Sequence, residues 1–134
     1  MGRARTRKRL VPKNARGESG DYAVLEELSS AKARGATIYA EVTGYGSTGD
    51  AFRVTDSHGE GRGAIACMSA ALSDSELRPS DIQYINAHAT STPAGDSSET
   101  QMLKYALGEE TAYTVPVSGT KGATGHCLGA AGAI

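Results

Sequence analysis

Tryptophan is absent from these 134 residues and phenylalanine occurs once, which excludes a core built on large aromatic rings. The 17 glycines and frequent alanines point instead to layers whose backbones approach closely, and they hint that further partner surface belongs against them. Only two cysteines occur, Cys67 and Cys127, so neither a disulfide framework nor a paired-thiol zinc cluster is expected. No apolar run approaches the roughly 18 residues that a membrane span requires, and no hydrophobic segment of signal type opens the chain. No membrane partner is expected, and the default compartment is a reducing cytoplasm, with a plastid or mitochondrial matrix as the alternative. Acidic residues are missing from the first 16 positions, which carry Arg3, Arg5, Arg7, Lys8, Arg9, Lys13 and Arg16. Beyond them fifteen acids stand against seven bases, so leader and body are different kinds of sequence. Basic blocks of this kind are usually solvated and disordered, and without nearby aromatics or a recognition helix no nucleic-acid partner is expected.

What is present alternates. Tyr22–Leu25 predicts a buried strand, 26–34 a helix closed by Gly35, and 38–45 a second strand. Residues 53–60 read as a surface loop in which His58 is an exposed bystander. Ile65, Met68, Ala71 and Leu72 recur at helical spacing, placing a helix over 61–75 with Cys67 beside its apolar stripe as a structural residue. Ile82–Ile85 is a strand, 93–108 a helix, 109–114 a polar turn, Val115–Ser118 a strand, and 128–134 the start of an alanine- and glycine-rich helix. Alternation of this kind is α/β, an architecture that places its sites in loops at strand ends.

Two such loops stand out. Asn86-Ala87-His88-Ala89-Thr90-Ser91-Thr92 follows one strand, and Gly119-Thr120-Lys121-Gly122-Ala123-Thr124-Gly125-His126 follows another. A histidine after a strand often does no more than satisfy a polar loop. Two of them among small residues, with Lys121 five positions before His126, suit polarisation of a carbonyl oxygen. Neutral imidazole N–H groups can stabilise an enolate or oxyanion, and a buried lysine can hold charges in place around them. Asp96 and Glu99 fall in the first turns of the helix after His88, where they could cap it or hold a histidine or a cation in the adjacent loop. No metal site is expected, because adjacent His126 and Cys127 cannot readily both face one tetrahedral ion.

These two loops, with Ser91-Thr92-Pro93-Ala94-Gly95-Asp96 and Leu128-Gly129-Ala130-Ala131-Gly132, resemble the C-terminal half of a type II β-ketoacyl-[acyl-carrier-protein] synthase. The resemblance spans 17–134, from the end of the N-terminal half through most C-terminal motifs, and leaves 1–16 as an unrelated leader. It favours fatty-acid over modular polyketide synthases. It implies a partial thiolase-like fold, the C-terminal half of a five-layer α-β-α-β-α sandwich, and a homodimer. The implied activity is acyl transfer by decarboxylative Claisen condensation of malonyl and acyl thioesters in fatty-acid biosynthesis. The partner is acyl carrier protein, which delivers 4'-phosphopantetheine; no cofactor is attached to this chain. By the same resemblance His88 and His126 bond the malonyl thioester oxygen, Lys121 supports them, Thr90 and Thr92 contact the phosphopantetheine arm, and Asp96 and Glu99 lie beneath the site.

The pattern is not followed throughout. The family usually has glycine where Ala89 stands, serine at Gly119, and Ser-Met at Gly122-Ala123. Its nucleophilic cysteine belongs to the N-terminal half, and neither Cys67 nor Cys127 matches it. The expectation is therefore a segment with the decarboxylation site and no nucleophile. The alternative is a non-catalytic module that docks acyl carrier protein or a full-length synthase.

Overall fold

The computed structural model describes residues 8–12, 23–53 and 58–132. These divide into two compact units, one holding the described residues up to Thr43 together with Cys127 and beyond, the other Gly44–His126.

In the first unit, β1 (Lys8–Pro12) is the middle strand of an antiparallel sheet, flanked by β2 (Ala23–Glu27) and β3 (Ala40–Val42). Leu10 is in register with Leu25 on one side and Ala40 on the other. Part of the basic leader is thus a strand and not a structureless tail; two flanking strands take up its backbone hydrogen-bonding groups. Residues 1–7 and 13–22 lie outside the described residues. The strand expected at 22–25 begins at Ala23 and is not buried there, since Leu25 is 53% exposed.

Helix α1 (Leu28–Ala33) follows β2 directly and is shorter than the sequence suggests. Its end is a Schellman closure. Gly35, at φ +67, donates to Lys32 O at 3.1 Å, and Ala36 donates to Ala31 O at 2.9 Å. Ala31 is fully buried. At the surface Arg34 Nη2 meets Glu26 Oε2 at 2.6 Å. The glycine- and alanine-rich end of the described chain, expected as a helix, forms a 3-10 turn over Leu128–Ala130. Leu128, the first residue of the turn, has φ +49, outside the α-helical range, and glycines at 129 and 132 disfavour a helix further.

The second unit is organised around α2 (Arg62–Ser75) and α3 (Pro93–Leu107), which pack on each other. Ile65, Met68, Ala71 and Leu72 form the half-buried stripe of α2 expected from their spacing. Gly61 starts α2 at φ +60, and a Cβ there would strike the Met102 side chain of α3, so glycine is required for conformation and for space. Residues 44–50 run along α2 as a strap. Tyr45 N donates to Asp74 Oδ2 at 3.0 Å, Thr48 Oγ1 to Gly63 O at 2.5 Å, and Gly63 N to Asp50 Oδ1 at 3.2 Å. A Cβ at Gly46 would collide with the Cys67 carbonyl. The strand expected over 38–45 therefore stops at Val42, where the glycines turn the chain toward α2.

Pro93 opens α3 at its first helical position, where no N–H is needed. Gly108, at φ +77, ends α3 and starts α4 (Glu109–Thr114). The expected polar turn is thus helical, with Glu109 and Glu110 in the first turn, where acids suit the helix dipole. The Lys104 ammonium lies 4.7 Å from the Tyr113 ring and ties the two helices at the surface. Strands β4 (Ile85–Asn86) and β5 (Val117–Ser118) pair in parallel, Ile85 with Val117 and Asn86 with Ser118. Both are shorter than the apolar runs that contain them, because a 3-10 turn over Pro79–Asp81 and the end of α4 occupy their approaches. Leu107 and Val115 are the buried apolar residues among those described in this unit, while Tyr84, Tyr105 and Tyr113 are exposed.

Candidate active site at the ends of two parallel strands

The β4–β5 pair delivers both histidine loops to one place. Ala87 N donates to Ser118 O at 2.8 Å as the last rung between the chains. Beyond it the His88 and His126 rings meet edge to face, with centroids 5.4 Å apart and planes at 86°. The pairing inferred from two separate sequence stretches is thus realised in space.

The first loop is held by α3. Glu99 Oε1 accepts the His88 N–H at 2.6 Å and Oε2 accepts the Ala89 N–H at 2.8 Å. Asp96 Oδ1 accepts the Ser91 N–H at 3.2 Å. Both acids therefore reach back to the loop and bond its backbone, Glu99 at His88 itself. Ala89 and Ser91 adopt φ of +38° and +64°, which residues with a Cβ seldom occupy. Two carboxylates on this short backbone stretch help to hold that conformation. Thr90 Oγ1 and Thr92 Oγ1 lie 3.2 Å apart, and a side chain at Gly95 would encroach on both.

The second loop is not irregular throughout. Thr120 and Lys121 start a helical turn, α5 (Lys121–Thr124), in which Thr124 N donates to Thr120 O at 3.2 Å and Gly125 N to Lys121 O at 2.9 Å. Lys121 is half-buried, and no carboxylate pairs with it among the described residues.

An open cleft of about 1260 Å³ runs along α2 and α3. His88, Thr90, Thr92 and Glu99 line it, whereas Lys121 and His126 do not. Phe52, Arg53, Ser98 and Met102 line it as well and were not visible as site residues in the sequence. Phe52 and Arg53 stand at the edge of a polar stretch that reads as plain loop; Phe52, the one phenylalanine of the sequence, was the only signal there. Ser98 Oγ is the one buried side-chain polar atom among the described residues without a hydrogen-bond partner. His58 is half-buried, not an exposed bystander. Its ring packs edge-on against Phe52 at 5.0 Å, and its Nδ1 accepts the Glu60 N–H at 3.2 Å. Residues 54–57 of that loop lie outside the described residues. Cys67 is half-buried and its thiol donates to Gly46 O at 3.0 Å, a structural contact between α2 and the strap. Among the described residues no three His, Cys, Asp or Glu side chains gather as a metal site would need, and no helix is long and apolar enough to cross a membrane.

Residues 39–134 match the C-terminal domain of the β-ketoacyl synthases. The chain belongs to the β-ketoacyl synthase family. Over 118 residues it is 50% identical to 3-oxoacyl-[acyl-carrier-protein] synthase 2 of Staphylococcus aureus, covering 88% of this chain and 29% of that protein. A mitochondrial 3-oxoacyl-[acyl-carrier-protein] synthase of Arabidopsis thaliana is 52% identical over 119 residues, again 88% of this chain but 26% of the relative. The chain thus spans under a third of the length of these relatives. Among solved structures it is similar to a chain of a complex described as a type II polyketide acyl-carrier protein with its ketosynthase bound to the hexaketide, with a TM-score of 0.77 at 42% identity over 84% of this chain and 27% of that one. A β-ketoacyl synthase from Burkholderia phymatum gives a TM-score of 0.74 at 42% identity over 83% of this chain and 26% of that one. The fold is accordingly α/β, a partial thiolase-like fold of the ketosynthase kind. Within this β-ketoacyl synthase segment, the paired histidines stand in the two strand-end loops that carried the resemblance.

Proposed function

We propose that this chain carries the decarboxylation site of a fatty-acid β-ketoacyl-[acyl-carrier-protein] synthase. The observation that supports it most is the edge-to-face meeting of His88 and His126 at 5.4 Å. Rings this close can each turn one N–H toward a single oxygen lying beside both, at the roughly 2.7–3.1 Å an oxyanion donor needs. That oxygen is the thioester oxygen of malonyl-acyl-carrier protein. As the bond to the carboxylate breaks, CO2 leaves and the electron pair passes into an enolate whose negative oxygen the two N–H groups stabilise. The carbon then attacks an acyl thioester held on a cysteine, and the thiolate departs. Neither Cys67 nor Cys127 fills that role, so the cysteine comes from further synthase chain.

Lys121, half-buried on the second loop, adds positive charge near the developing enolate. Thr90 and Thr92 line the cleft beside His88, where short hydroxyls suit the amides and hydroxyl of the phosphopantetheine arm. Glu99 and Asp96 hold the His88 loop in the conformation that presents the imidazole. Acyl carrier protein is the partner, the complete enzyme a homodimer, and the compartment the cytoplasm or an organelle matrix. Incubating the purified chain with malonyl-acyl-carrier protein and following CO2 release tests the reading. His88→Ala should lower the rate about 10²–10³-fold, the usual effect of deleting one oxyanion donor. An unchanged rate removes the catalytic assignment.

The exposure of Tyr105 (73%) and Tyr113 (69%) favours a second reading, in which the segment serves as a docking module for acyl carrier protein or a full-length synthase. Binding of malonyl-acyl-carrier protein without CO2 release separates it from the first.

A further inference from the structure

Ala89 stands where a side chain is poorly tolerated, at φ +38° and one residue after the catalytic candidate His88. Its backbone is not free to relax, because Glu99 Oε2 holds its N–H at 2.8 Å. Directly across the end of the β4–β5 ladder lies Gly119, the residue that leads into the His126 loop. A Cβ at position 119 would sit 2.8 Å from the Ala89 Cβ, closer than real Cβ atoms come to other heavy atoms, and 3.8 Å from Ala87 O. The methyl of Ala89 therefore occupies the space that any side chain at 119 would require.

We propose that Ala89 and Gly119 form a size-matched positioning pair that sets how closely the two histidine loops approach, and hence the spacing of His88 and His126. With Ala89 fixed by Glu99, bulk added at 119 cannot be absorbed on the first loop and displaces the second. The rung between Ala87 and Ser118 is the pivot, since it is the backbone bond that closes the β4–β5 ladder before the two loops part. A small displacement there moves His126, seven residues on, relative to His88. The catalytic meaning of this pair rests on the proposed decarboxylation site; the contact itself does not.

The test uses the full 134-residue chain and reads the geometry without turnover. Nuclear Overhauser contact between the imidazole protons of His88 and His126 is compared in the native chain, Gly119→Ser, Gly119→Ala, Ala89→Gly and the double variant Ala89→Gly/Gly119→Ser. The amide resonances of α2 and α3 report that each variant is folded. Gly119→Ser should abolish the inter-ring contact while α2 and α3 stay folded. Gly119→Ala adds only the clashing methyl and should weaken the contact in the same direction. Ala89→Gly should keep it, and the double variant should recover it, because the removed methyl vacates the space the serine needs. Native-strength contact in both Gly119 variants, or a double variant no better than Gly119→Ser, overturns the proposal. A chain inert toward malonyl thioesters would remove the functional reading and leave this result standing, so the two failures are distinguishable.

Discussion

The two histidine loops reach the same place by different physics. The His88 loop takes its shape from α3, through the single Glu99 side chain, which bonds the Ala89 and His88 amides from ten and eleven residues away. The turn before His126 is shaped by bonds among its own neighbours, residues 120–125, and ends at Gly125 with φ +73. One loop depends on α3 being in place; the turn in the other carries backbone bonds of its own. Change in α3 should therefore reach the site through the first loop, and local change through the second.

Glu99→Ala should break this contrast most severely. It strips the acceptor from two backbone N–H groups at once, and charged hydrogen bonds are worth about 1.5–3 kcal/mol each, less where water can substitute. A loss of about 1–3 kcal/mol is expected, with faster hydrogen exchange at His88 and Ala89 and unchanged exchange across 121–125. Gly125→Ala should act on the other loop alone. At φ +73 and ψ 176 the backbone is in a region nearly reserved for glycine, where a Cβ costs about 1–3 kcal/mol, so urea unfolding should show a loss of about 1 kcal/mol or more with the His88 and Ala89 amides unmoved.

The smallest effect lies upstream of β4, where Asp81 Oδ2 accepts the Arg78 N–H at 2.9 Å and Oδ1 meets Arg78 Nη2 at 2.9 Å. The Arg78 guanidinium, and after it the Arg78 backbone N–H, hold the Asp81 carboxyl below its ordinary value. Its contribution is therefore complete above the usual aspartate range, about pH 3.9, and is lost as pH falls through the lowered folded value. The pair is exposed, so the effect is slight. Arg78→Gln should raise the pH midpoint of the Asp81 amide shift while leaving both histidine loops as they are.

The contrast also explains what was legible. Histidines, a lysine and hydroxyl residues in glycine-rich stretches after apolar runs announce strand-end chemistry, and the rings do converge. The stripe of α2 was readable because four apolar residues repeat with the period of a helix. The left-handed Ala89 was not readable, since alanine carries no signal for it and its support comes from Glu99 ten residues on. Nor was it visible that the two departures from the family pattern, at Ala89 and Gly119, would face one another. Helix α4 escaped because Glu-Glu-Thr after glycine reads as a turn until the Lys104–Tyr113 contact fastens it to α3. The strand over Lys8–Pro12 escaped because charge density masked a stretch whose pairing is supplied by two other strands.

The central claim is that His88 and His126 act on one oxygen, and coupling between them tests it most directly. CO2 release from malonyl-acyl-carrier protein is measured for His88→Ala, His126→Ala and the double variant. If both rings serve one oxyanion, each single change lowers the rate about 10²–10³-fold and the double loses far less than the product of the two. Fully multiplicative losses, or a rate indifferent to either histidine, would contradict it.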